Sequence, residues 1–132
     1  MPDPSWPDQV GRGKGGEKMK KILWMSRHPW LKSQEEALKR IFGEIKIEQI
    51  ATPFKSAEEI VEIFKQGNYD EMVIVAPLSV VAKICEMGIK PLWAEMEIVP
   101  PEEAEVEVGG RYYRFKGFKR IKGVRVEFEE LI

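Results

Sequence analysis

A chain of 132 residues with 43% hydrophobic side chains and 21 basic against 22 acidic groups has the material for one folded domain. That balance excludes a disordered tail or a collagen-like fibre, and the longest apolar stretch, residues 72–82, is broken by Pro77 and Ser79 and too short to span a bilayer. A single cysteine cannot form an internal disulfide, so a reducing, cytoplasmic setting is expected, with no membrane partner.

Residues 1–18 contain three prolines, four glycines and no amphipathic period, and read as a flexible leader. The run Gly15-Gly16-Glu17-Lys18-Met19 can be encoded as GGA-GGT-GAA-AAA-ATG, a ribosome-binding sequence ahead of a start codon. The expectation is therefore a misassigned start over 1–18 and a single α/β domain over 19–132. Within it, residues 19–99 form a βα core and residues 100–132 an acidic linker and a basic β-hairpin.

From Lys20 onward, short apolar runs alternate with helical periods. Residues 22–26 suit a buried first strand. Ser33-Gln34-Glu35-Glu36 spells a capping box and opens a helix with Ala37, Leu38, Ile41 and Phe42 on one face. Gly43 stops it, and residues 45–50 alternate as a second strand. Ser56-Ala57-Glu58-Glu59 is a second capping box, followed by Ala57, Ile60, Val61 and Phe64 at helical spacing and a stop at Gly67. Residues 72–76 read as a central strand, 78–87 as a third helix ended by Gly88, and 92–99 as a fourth strand. One polar face on that fourth strand, carrying Glu95 and Glu97, predicts an edge or near-edge position. After Pro100-Pro101, residues 111–119 and 124–129 alternate across Ile121-Lys122-Gly123. They predict a C-terminal hairpin with Tyr113, Phe115, Val124, Val126 and Phe128 on its buried face.

Short right-handed crossovers predict a three-layer, Rossmann-like, mainly parallel sheet of order 2-1-3-4. In such sheets ligands collect at the carboxyl ends of strands where the order reverses. Here that corner lies between Ser26-Arg27-His28-Pro29 and Ala76-Pro77-Leu78-Ser79, with Thr52 delivered by the second strand. An arginine, the only histidine and a helix N-terminus suit a phosphate or carboxylate. The expected ligand-binding set is Ser26, Arg27, His28, Thr52, Pro77 and Ser79, and the ligand a nucleotide or other small anion. Should chemistry occur there, His28 is the general acid or base and Arg27 the charge stabiliser.

Other chemistries lack their residues. No glycine-rich phosphate loop follows the first strand, and one His with one Cys cannot build the usual zinc sites, so neither cofactor nor metal is expected. Charge is segregated: residues 57–108 hold twelve acidic and three basic groups, and 109–126 hold seven basic and none acidic. In that basic stretch Arg111, Arg114, Lys116, Lys119 and Arg120 interleave with aromatics, the alternative being a nucleic-acid-binding or protein-interaction module. A homodimer with no ligand is the third reading. High Lys and Glu usage with one Asn and four Gln fits a thermophilic source.

Arg27-His28 after the first strand resembles the Arg-His-Gly opening of the histidine phosphatase superfamily, but Pro29 replaces the glycine and the second catalytic histidine is missing. More of the chain, about residues 20–130, resembles uncharacterised small Rossmann-like proteins of archaeal and bacterial plasmids and viruses. The shared segments are Ser26-Arg27-His28, Gln34, Leu38-Lys39, Phe42-Gly43, Ala76-Pro77-Leu78 and Trp93-Ala94-Glu95-Met96. That resemblance implies a fold and a mobile-element origin but no activity. In outline alone, the chain is similar to domains that sense cyclic oligoadenylates in CRISPR signalling.

Overall fold

The computed structural model describes residues 19–132; the leader expected over 1–18 lies outside the described residues. The elements in order are β1 (Lys20–Met25), α1 (Lys32–Phe42), β2 (Ile45–Gln49), α2 (Ala57–Gln66), β3 (Glu71–Ile74) and α3 (Leu78–Glu86). They continue with β4 (Leu92–Ile98), a short 3-10 turn at Pro101–Glu103, β5 (Val106–Val108) and β6 (Arg111–Arg120). The strands form one mixed sheet of order β2-β1-β3-β4-β6-β5. Pairs β1/β2, β1/β3 and β3/β4 are parallel, while β4/β6 and β5/β6 are antiparallel.

Alternation along the strands sorts the core into two layers. Ile22 and Trp24 of β1 and Val73 of β3 turn to one face, where Leu38 of α1 and Leu92 join them. Leu23, Met25, Met72 and Ile74 turn to the other, against Ile60 and Val61 of α2 and Val81 and Ile84 of α3. Crossovers that place α1 on one face and α2 on the other require β1 to sit between β2 and β3, as observed.

The structure corrects the expected hairpin and helix caps. The C-terminal hairpin is β5/β6, closed at Gly109-Gly110 with φ of +59° and +80°, and residues 121–132 form no strand. Two successive positive φ values make a type I′ turn, which glycine accepts without a Cβ clash. β5 covers only Arg111–Tyr113 of β6, and the segment after β6 does not pair with the open side beyond, which leaves Val126 and Phe128 66% and 87% exposed. β4 lies one strand in from the edge along Leu92–Met96, where β6 has no outer partner, which is the near-edge position expected, and β6 lays cations beside its polar face. Helix α1 begins at Lys32, and Gln34 Oε1 accepts the Leu31 N–H at 2.7 Å, so the expected Ser33/Glu36 box does not form. Helix α2 ends at Gly67 as expected, with right-handed backbone angles there (φ −83°), and Asn68 after it is left-handed (φ +56°). Of the second expected capping box only the Ser56 half forms: its Oγ accepts the Glu59 N–H at 3.2 Å, while Glu59 Oε1 accepts from the Lys55 N–H at 2.6 Å, one residue before the cap.

Candidate functional site

β1 ends in a loop whose backbone is tightly determined. The Ser26 hydroxyl accepts the His28 N–H at 3.1 Å, a local turn typical of serine. The Trp24 indole donates to the His28 carbonyl at 2.8 Å, and the Gln49 amide donates to the carbonyls of Ser26 at 2.8 Å and His28 at 3.2 Å. These bonds fix the backbone and leave the side chains of Arg27 and His28 exposed at the carboxyl end of the sheet. Gln49 was not anticipated from the sequence; it ends a strand of ordinary alternation, and only the β1/β2 register puts it beside the loop.

The loops after β1 and β2 enclose a cleft of about 290 Å³ lined by Ser26, Arg27, His28 and Thr52, with Met25, Ile50, Phe54 and Val75 as apolar surface. Four of the six expected ligand residues are thus brought together. Pro77 and Ser79 lie outside this lining, at the start of α3, and β3 reaches the cleft through Val75 instead. Glu95 and Glu97 do not turn to it either, since both engage cations of β6.

Ser26, His28 and Val75 also border a second, apolar groove of about 370 Å³ on the α1 face. Its walls include Trp24, Trp30, Met96, Val106 and Tyr113. Trp24 and Trp30 meet edge to face at 5.9 Å, and the Trp30 indole donates to Glu35 at 3.0 Å, which holds that carboxyl below its ordinary range.

The basic strand β6 is largely matched by carboxylates. Arg114 donates to Glu97 through Nε at 3.0 Å and Nη2 at 2.9 Å, and to Glu103 at 3.1 Å, which raises its pKa. Lys119 lies 3.1 Å from Glu95, and Arg120 pairs with Glu71 at 2.7 Å while donating to the Lys90 carbonyl. Lys116 is 4.0 Å from Glu95, and Arg111 is exposed at the hairpin turn. The acidic block of the sequence and its basic block therefore meet within the chain.

A cluster that the sequence did not signal lies across β1 and β2. The Tyr69 hydroxyl donates to Glu48 at 2.6 Å, and Lys21 Nζ sits 4.8 Å from the Tyr69 ring while donating to the Gly67 carbonyl at 2.7 Å. Burial, then the Glu48 bond, push the phenol up to about 12, and the same bond holds Glu48 below its ordinary 4.5. The signs follow from linkage. The raised phenol pKa contributes stability fully present below pH about 10 and lost as pH rises toward about 12. The lowered Glu48 pKa contributes stability present above 4.5 and lost as pH falls below it. Tyr69→Phe should cost about 1–2 kcal/mol and remove the latest step of an alkaline absorbance titration. A late step that survives the substitution would exclude this assignment.

Among the described residues no helix is long and apolar enough to cross a membrane, and no group of three or more His, Cys, Asp or Glu could hold a metal ion. Comparison of the chain with protein-family models, curated proteins and solved structures gave no significant match.

Proposed function

We propose that the chain binds a small anionic ligand, a nucleotide or another phosphorylated molecule, in the cleft at the carboxyl ends of the first strands. One juxtaposition supports this reading: Arg27 and the chain's single histidine share a lining with the hydroxyls of Ser26 and Thr52. A guanidinium offers a fork of donors that matches phosphate oxygens, and two hydroxyls add orienting contacts. The cleft volume is near the lower end for small-molecule sites. The β2-β1-β3-β4 half of the sheet with helices on both faces supplies a Rossmann-like frame, and its order reverses beside this cleft. Because Trp24 and Gln49 already fix the loop backbone, a ligand need order only side chains. The sparse amides favour a thermophilic source, and the single cysteine a cytoplasmic one.

Nucleic-acid binding through β6 is the weaker reading, since Arg114, Lys119 and Arg120 already face carboxylates. Titration calorimetry with a panel of nucleotides and inorganic phosphate separates the two. Arg27→Ala should weaken binding at least about tenfold. The double change Arg111→Ala/Lys116→Ala should leave that affinity unchanged. No heat for any panel member with the unsubstituted chain would refute the proposal.

A further inference from the structure

The segment after β6 has the sequence of a strand. Val124, Val126 and Phe128 alternate with Arg125, Glu127 and Glu129, yet this segment pairs with nothing and Phe128 is 87% exposed. The nearest strand, β6, pairs with β4 on one side, and on the other β5 covers only Arg111–Tyr113. Among the described residues three edges are open: β5 with three residues, β2 with five, and the outer side of β6 beyond Tyr113. Along that stretch of β6, Arg114, Lys116, Lys119 and Arg120 include no acidic partner for Arg125; only β2, with Lys46 and Glu48, offers both signs to a segment carrying Arg125 and Glu127.

The free side of β2 can be read from its bonds to β1. Lys20 N–H donates to the Glu44 carbonyl and Ile50 N–H to the Trp24 carbonyl, so the even-numbered residues of β2 face β1. The N–H and C=O groups of Ile45, Ile47 and Gln49 therefore point outward, an edge unpaired among the described residues that invites another strand. Charge then limits the register. An antiparallel strand that sets Val126 opposite Ile47 also sets Phe128 opposite Ile45, Glu127 opposite Lys46 and Arg125 opposite Glu48. Both charged pairs are complementary, and both apolar pairs fall on the α1 face, where Ile45 and Ile47 already pack. A parallel strand with Val126 opposite Ile47 instead places Arg125 against Lys46 and Glu127 against Glu48, and one with Val126 opposite Ile45 pairs Arg125 with Glu44 and Glu127 with Lys46. Charge thus fixes the register within each direction, and the antiparallel ladder is favoured as the slightly more stable per residue.

The same molecule cannot make this pairing. Val124 is anchored against the α2/α3 layer, lining a cavity with Val81 and Trp93 beside β4. From β4 to β2 is three strand spacings, about 14 Å, whereas two extended residues reach only about 7 Å.

We propose that two copies of this chain exchange their C-terminal segments, residues 125–128 of each adding antiparallel to β2 of the other, to form a homodimer independent of any ligand. Reciprocal exchange closes the assembly at two, since each copy offers one tail and one β2 edge.

Sedimentation velocity on the full chain should give twice the 15.3 kDa chain mass. Glu127→Lys alone, or Lys46→Glu alone, should raise the dimer dissociation constant about tenfold, because each turns an attractive pair into a repulsive one. Glu127→Lys with Lys46→Glu should restore it. Phe128→Asp, at a side chain exposed in the monomer, should give a folded monomer by circular dichroism. A monomeric full chain at high micromolar concentration, a dimer indifferent to Phe128→Asp, or a charge reversal not rescued by its partner would each overturn the proposal.

Discussion

Leu38→Ala should lower stability by about 3 kcal/mol and the melting temperature by about 10 °C, while Ile41→Ala, one turn on in the same helix, should change it by less than about 0.5 kcal/mol. Leu38 is fully buried, whereas Ile41 is 55% exposed. The contrast is sharp because α1 is, among the described residues, the only helix on its face of the sheet, and Ala37, Leu38 and Gln34 are its buried residues. Removing three carbons from Leu38 leaves a cavity over Ile22, Trp24 and Val73 that no second helix can close. The effect should reach the candidate site, since Trp24 also holds the His28 carbonyl. Thermal melts followed by circular dichroism check both values. Equal losses for the two variants would mean that α1 packs in the orientation its sequence suggested, with Ile41 inward.

That misplacement of Ile41 shows what the sequence could and could not carry. Helical spacing identifies an apolar stripe, but Ala37, Leu38, Ile41 and Phe42 span more arc than one sheet can cover, and contact with β1 selects its inner part. The order β2-β1-β3-β4 was legible because crossover handedness leaves few alternatives. The hairpin was misread for a different reason. Alternation identifies strands, not partners, and residues 124–129 alternate as cleanly as residues 111–119. The signal that decides the pairing was present as Gly109-Gly110, a two-residue turn between Val106-Glu107-Val108 and Arg111, passed over because the acidic run before it reads as a linker.

The site was partly legible for related reasons. Ser26, Arg27 and His28 follow an unmistakable strand, and the second strand had to deliver Thr52 to the same end of the sheet. Pro77 and Ser79 were included through a helix N-terminus expected to face the cleft, but whether a helix end turns inward depends on the exact length of the loop after β3. Gln49 and Tyr69 contribute through long-range contacts set by strand register, for which local sequence holds no cue.

Gly67→Ala should destabilise the chain by about 2 kcal/mol, yet the same change should be neutral or stabilising by up to about 1 kcal/mol when Tyr69 is alanine. The usual reason for glycine after a helix does not apply, because Gly67 has right-handed backbone angles that any residue adopts. Its Cα instead faces the Tyr69 ring, and an added Cβ would run into that ring's edge. The ring cannot simply swing away, since its hydroxyl is bound to Glu48 and Lys21 lies against it. Alanine therefore forces either an overpacked contact or loss of the Tyr69–Glu48 bond, and the carbonyl that binds Lys21 belongs to the substituted residue itself. With the ring removed, only the entropic advantage of alanine over glycine in the unfolded chain remains. The sign change across this double-mutant cycle, read from urea unfolding, isolates the steric term. If Gly67→Ala is equally damaging in both backgrounds, the glycine serves the backbone and not the ring. If it is harmless in both, the Tyr69–Glu48 bond does not hold the ring in place, and the late tyrosine ionisation should also be absent.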